Sequence, residues 1–284
     1  MATKQIIGVL GGSGLYEIEG LSNTERVAVE TPFGAPSDAY LCGDLDDKRL
    51  LFLPRHGRRH TLLPSEVNYR ANIYGFKKLG AQWLISISAV GSMREAIEPG
   101  HVVIADQFID LTKRRESSFF GAGVVGHVQF ADPIDPDLAK LCADAAEEEG
   151  ATVHRGGTYV CIEGPQFSTR AESSVYRSWG VSVIGMTNMP EAKLAREAGI
   201  GYATCAMATD YDCWYEGHDD VSVETVIKTL KQNVEMARRI IANAARRMPA
   251  ALTCRFADAG KQAVFMDPAA MNPETRAKLT LLLD

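Results

Sequence analysis

Ala206-Met207-Ala208-Thr209-Asp210-Tyr211-Asp212-Cys213-Trp214 is an apolar, strand-like run that closes on two acids. Open α/β sheets place their chemistry at such strand ends, where ligands gather in the crevice beyond the carbonyl termini. On an extended backbone the side chains of Asp210 and Asp212 fall on one side. Neighbouring carboxylates resist ionising together, so such a pair can keep a proton near neutral pH and act as an acid. An aspartate-rich, solvated turn is the competing reading of this segment alone.

Similar runs recur upstream, at residues 6–10, 26–30, 50–53, 83–88, 102–104, 158–162 and 181–184, before the one at 202–208. Several lack polar alternation, which predicts strands covered on both faces. Helical segments lie between them. One opens at Pro64-Ser65 and closes at Gly80; another runs from Asp137 to Glu149 and stops at Gly150. Thr169 with Glu172 forms a capping box for a third. Ser222 caps the longest, from Val223 to about Met248, with Val226, Leu230, Val234, Ala237 and Ile241 as its apolar stripe. Helices interleaved with buried strands predict an α/β fold with a mixed central β-sheet flanked by helices. With no repeat or linker in view, residues 1–284 read as one domain, a core of about 5–248 and a less regular C-terminal extension, 249–284.

Composition narrows the function. The 284 residues are 46% hydrophobic and 23% charged, as in a water-soluble globular protein, and the net charge of −6 argues against nucleic acid as a partner. Arg58-Arg59 and Lys113-Arg114-Arg115 read as solvated surface. The six cysteines form no CxxC pair and match no histidine spacing, which argues against a metal site or disulfides and suits a cytoplasmic location. No apolar run reaches the length of a membrane span, and the N-terminus does not read as a signal peptide.

Five further segments can carry chemistry. Gly11-Gly12-Ser13-Gly14 follows the first strand and is either an anion cradle or a plain turn; it lacks the third glycine of a dinucleotide fingerprint. Pro54-Arg55-His56-Gly57 offers a guanidinium and an imidazole for phosphate. Ser86-Ile87-Ser88-Ala89-Val90-Gly91-Ser92 ends a strand in hydroxyls. In Ile162-Glu163-Gly164-Pro165-Gln166-Phe167-Ser168, Phe167 is either a stacking face for a base or a core aromatic. Gly185-Met186-Thr187-Asn188-Met189-Pro190-Glu191 sets a methionine and a hydroxyl before a helix, although most such methionines are core. Together they suit a phosphate-dependent reaction on a purine nucleoside.

In this order the motifs resemble those of the trimeric purine nucleoside phosphorylase family, from Gly11 to about Leu230. The resemblance implies that family's three-layer fold around a partly barrel-like sheet. It implies that Ser13, Arg55, His56, Ser88, Ala89 and Thr187 hold phosphate, that Met186 meets the ribose, and that Phe167 covers the base. Asp210 and Asp212 would be the catalytic acids at purine N7 and the 6-amino group, and Val223 and Val226 would line the 5′ pocket. His127 would enter a neighbouring subunit's site, in a homotrimer or hexamer. Relatives acting on 6-oxopurines carry Asn where Asp210 stands; a 6-amino group donates and needs an acceptor, so a carboxylate favours adenine. The implied reaction is phosphorolysis of S-methyl-5′-thioadenosine to adenine and 5-methylthioribose 1-phosphate, in purine and methionine salvage. The alternative is a purine nucleoside or methylthioinosine preference, which Asn188 leaves open. Nucleoside and inorganic phosphate are the expected small-molecule partners, with no further cofactor, metal or membrane. A nicotinamide-dependent oxidoreductase, a nucleoside sensor and a water-using nucleosidase are competing readings.

Overall fold

The computed structural model describes residues 4–12, 14–215, 223–267 and 270–284, with the backbone alone for 223–228. Eleven strands form one mixed sheet: β1 (Ile6–Gly11), β2 (Ser22–Val27), β3 (Tyr40–Leu45), β4 (Lys48–Pro54), β5 (Trp83–Ser92), β6 (Val102–Ile104), β7 (Gln107–Asp110), β8 (Val153–Arg155), β9 (Thr158–Cys161), β10 (Val183–Gly185) and β11 (Gly201–Asp210). The helices are α1 (Tyr69–Lys78), α2 (Pro136–Glu148), α3 (Arg170–Ser178), α4 (Asn188–Glu197), α5 (Val223–Arg247), α6 (Ala259–Ala263) and α7 (Pro273–Leu283). The mixed sheet flanked by helices is the expected architecture.

The hub is β5. Its first half pairs in parallel with β1, its last residues pair antiparallel with β10, and β11 runs parallel along nearly its whole length. From this branch one arm of the sheet runs through β10 and β9 to β7, and another through β11 and β6 to β8. Because β1, β4, β5 and β11 are mutually parallel, their carbonyl ends share one edge, where Gly11 lies opposite Pro54 and Asp210 opposite Gly91. Trp83, Leu84, Ile85, Tyr202, Ala203 and Cys205 are buried, in keeping with strands covered on both faces.

Punctuation was the most legible signal. Gly80, Gly150 and Gly180 all adopt positive φ just past α1, α2 and α3, and Thr169 forms its capping box with Glu172. Several expectations need correction. Helix α1 begins only after Asn68, which accepts a hydrogen bond from the Ala71 N–H; Pro64 to Val67 is turn. The strand expected at 26–30 lies at Ser22–Val27, and β3, β7 and β8 had no counterpart. Leu230 is 41% exposed, so the core stripe of α5 starts further along, with Ala237, Ile240, Ile241 and Ala244 buried. Ser222 lies outside the described residues.

The C-terminal segment is more regular than expected. It holds α6 and α7, and Leu279, Leu282 and Leu283 are buried. Gly260 packs so closely on α4 that a Cβ there would stand 2.1 Å from the Glu197 carbonyl oxygen.

Candidate active site

At the shared edge, the Arg55 N–H bonds the Gly11 carbonyl at 2.8 Å, stitching the end of β4 to the end of β1. The Arg55 side chain is 3% exposed and turns inward. Its Nε and Nη2 pair with the Glu191 carboxylate, Nη1 donates to the Ile87 carbonyl at 3.1 Å, and Nη2 reaches the Leu10 carbonyl and Ser86 Oγ. Glu191, fully buried at the start of α4, also accepts from Ser86 Oγ and Tyr202 Oη, each at 3.1 Å. Arg55 therefore locks β1, β4, β5 and α4 together. Nη1 carries a second hydrogen beyond the one given to the Ile87 carbonyl.

His56 is half-buried, and its Nδ1 lies 2.8 Å from the Leu62 carbonyl. A carbonyl only accepts, so Nδ1 carries the proton and Nε2 the lone pair. Burial, reinforced by the Arg55 charge, pushes its pKa down to about 4, and the ring is neutral at physiological pH.

The hydroxyl cluster lies on β5 and before α4. Ser88 is buried, with no hydrogen bond to its Oγ among the described residues, whereas the adjoining Ala89 is exposed. Thr187 precedes α4 but makes no side-chain cap to it. Asn188 is fully buried and donates to Tyr202 Oη at 2.8 Å, so it belongs to the support of Glu191.

Beyond β11, Asp210 Oδ1 accepts the Asp212 N–H at 2.8 Å and Oδ2 accepts Thr209 Oγ1 at 2.7 Å. Ser173 of α3 donates to Asp212 at 2.5 Å. Asp212 adopts φ 52°, in a short 3-10 turn over Asp212–Trp214. Both acids lie against Gly91, where a Cβ would approach Asp210 Oδ1 to 3.1 Å and Asp212 Cβ to 3.3 Å. Burial raises the Asp212 pKa, and the Asp210 charge adds to it, against the Ser173 hydrogen bond.

Met186 packs over Gly164, where a Cβ would meet its sulfur at 2.5 Å, so the fourth and fifth motifs touch. Phe167 is 85% exposed, which removes the core-aromatic reading. His127 is exposed on a loop tied to α6 by its N–H to the Ala263 carbonyl. Ser13 and the side chains of Val223 and Val226 lie outside the described residues.

Arg58 is exposed, as expected, and pairs with Asp38. Arg115 is not solvated surface. Its side chain is 1% exposed and donates to the Met186, Met189 and Glu163 carbonyls, to Glu163 Oε1 and to Tyr69 Oη. It joins the two motifs that carry Phe167 and Met186. Sequence reading missed the roles of Glu191 and Arg115; only the tertiary partners mark them out.

The sequence model of the Phosphorylase superfamily matches residues 6–246. This chain belongs to the phosphorylase superfamily. Within it, the S-methyl-5′-thioadenosine phosphorylase of Geobacter sulfurreducens is 63% identical, over 99% of this chain and 98% of that protein. The protein of the same name from Thermosynechococcus vestitus is 53% identical, over 98% and 97%. A methylthioadenosine phosphorylase crystal structure from an antarctic soil metagenomic library superposes with a TM-score of 0.93, at 46% identity and 99% coverage of both chains. The Schistosoma mansoni methylthioadenosine phosphorylase in complex with adenine gives a TM-score of 0.79, at 32% identity, covering 99% of this chain and 98% of that one.

Proposed function

We propose that this superfamily member catalyses phosphorolysis of S-methyl-5′-thioadenosine, releasing adenine and 5-methylthioribose 1-phosphate. The observation that carries the reading is the carboxylate pair Asp210–Asp212, seated against Gly91 at the strand edge that also bears Arg55 and Ser88. Relatives of that name at 63% and 53% identity support it.

In this reading the Ser88 and Thr187 hydroxyls, the Arg55 guanidinium and the strand-end backbone at Ala89 hold phosphate, together with Ser13. The neutral His56 accepts the anion's own hydroxyl at Nε2. A phosphate oxygen attacks C1′ as the C1′–N9 bond breaks, and the anion stabilises the oxocarbenium-like sugar. The carboxyl pair delivers a proton to N7 so that adenine leaves neutral. The carboxylate then accepts the 6-amino hydrogens. In this reading Asn188, whose amide donates to Tyr202 Oη, supports Glu191 from behind the site.

Met186 supports the sugar, Phe167 closes over the base on binding, and Val223 and Val226 bound the methylthio group. Inorganic phosphate is a co-substrate and no other cofactor is required. The exposed His127 completes a neighbouring subunit's site in a homotrimer, and the six free cysteines suit the cytoplasm.

The deciding assay is adenine release from methylthioadenosine, adenosine and methylthioinosine, each with and without phosphate. Release from methylthioadenosine only in the presence of phosphate is the expected result. Equal release without phosphate would make the chain a nucleosidase, and preference for methylthioinosine would overturn the 6-amino assignment.

A further inference from the structure

Tyr159 is the second residue of β9 and is fully buried. Its ring packs on Phe108 of β7, with centroids 5.7 Å apart, and it passes across Gly185. A Cβ at Gly185 would stand 2.0 Å from the phenol oxygen, so the glycine is the notch that admits this ring. Beyond the notch the hydroxyl lies alongside those of Ser88, on β5, and Thr187, before α4. Neither Tyr159 Oη nor Ser88 Oγ has a hydrogen bond of good geometry among the described residues. Thr187 leaves its helix uncapped by its side chain.

Three hydroxyls from three separate elements thus converge without satisfying one another. Buried polar groups are almost always paired, so an unfinished cluster of this kind marks a place that a ligand completes. Each hydroxyl has one proton and two lone pairs. A phosphate dianion mainly accepts, so Ser88 can serve it only by pointing its proton outward. Its lone pairs then need a donor from behind, and the Tyr159 O–H is the group in position to supply one. Burial, as the largest influence, raises the phenol pKa, and Tyr159 keeps its proton across the assay range.

We propose that Tyr159 is a positioning residue for inorganic phosphate: its phenol donates to Ser88 Oγ and so aims the Ser88 proton at the anion. This rests on the phosphorolytic reading above. Tyr159 acts through Ser88, so its removal should weaken phosphate binding and leave the nucleoside untouched.

The test is Tyr159→Phe, which deletes only the phenol oxygen and keeps the ring packed on Phe108, so the variant is expected to fold. KM for phosphate should rise about five- to tenfold, the loss of one hydrogen bond, with KM for methylthioadenosine within about twofold of wild type. Ser88→Ala should raise the phosphate KM as well, and the double variant should be no worse than Ser88→Ala alone. An unchanged phosphate KM in Tyr159→Phe, or additive losses in the double variant, would overturn the proposal. The rise in Tm on adding inorganic phosphate measures binding without turnover and should be smaller in Tyr159→Phe. If wild type shows that phosphate shift but releases no adenine, the reaction assignment fails while this comparison still decides the role of Tyr159. An equal shift in both proteins sinks the positioning role whatever the reaction.

Discussion

Glu191→Ala should destabilise the protein severely, although the residue lies in no surface cleft. The Glu191 carboxylate is fully buried and takes hydrogen bonds from Arg55 Nε and Nη2, Ser86 Oγ and Tyr202 Oη. Truncation leaves a guanidinium that is 3% exposed without its counter-charge. Breaking one side of a buried pair costs about 3–5 kcal/mol, because the remaining charge stays desolvated. At roughly 2–4 °C per kcal/mol for a chain of this size, Tm should fall by about 6–20 °C. Differential scanning calorimetry without phosphate measures it. Glu116→Ala is the control: Glu116 is 75% exposed and its pair with Arg70 spans 3.5 Å, so its loss should stay under about 1 kcal/mol. Arg55→Met combined with Glu191→Leu removes both charges and should melt above Glu191→Ala alone. A Glu191→Ala melting point within 2 °C of wild type, at the ~2 °C per kcal/mol lower bound, would refute the reasoning.

Three further outcomes are expected. Asp212→Asn should lower kcat for methylthioadenosine by about two to four orders of magnitude, the worth of a general acid, with little change in the phosphate-induced Tm shift; near-normal turnover would remove Asp212 from proton delivery. Burial outweighs the Phe119 and Ser118 hydrogen bonds and pushes Glu197 up to about 7. Its native pKa lies above the unfolded value, so the native state binds the proton more tightly and stability is lost as pH rises from about 4.5 to 7, by about 3 kcal/mol. Glu197→Gln should therefore raise Tm at pH 8 and flatten the pH dependence; an equal Tm change at pH 5 and pH 8 would count against it. Arg115→Ala removes donors from the Met186, Met189 and Glu163 carbonyls and should raise the nucleoside KM more than the phosphate KM, measured by steady-state kinetics.

The helices were read well where glycine or a capping pair ended them, because those signals are local. Gly80, Gly150 and the Thr169–Glu172 box depend only on the backbone beside them. Strands β7 and β8, of four and three residues, left no pattern, since a short pairing segment is defined by its neighbour. Leu230 was misplaced for a related reason: a helical stripe is periodic in sequence, but where along the helix the core begins is decided by what packs there. Arg115 shows the same limit in a charged residue. Beside Lys113 and Arg114 it reads as solvent-facing, and only the convergence of carbonyls from two distant loops accounts for its burial.

What the sequence by itself determined was the chemistry at each strand end: glycines after β1, Arg55 and His56 after β4, hydroxyls on β5, acids after β11. Those depend on residue type, and their order along the chain carried the family resemblance. What only the tertiary structure decided was how these groups are held. Sequence treats Arg55 as a ligand group; the fold makes it first the partner of Glu191, a residue 136 positions away. Sequence treats Asp210 and Asp212 as equals; the fold buries the Asp212 carboxyl beside Ser173 of α3, and that burial raises its pKa. Burial and long-range pairing are properties of the packed chain, and they set which of the legible residues hold protons and which hold the site together.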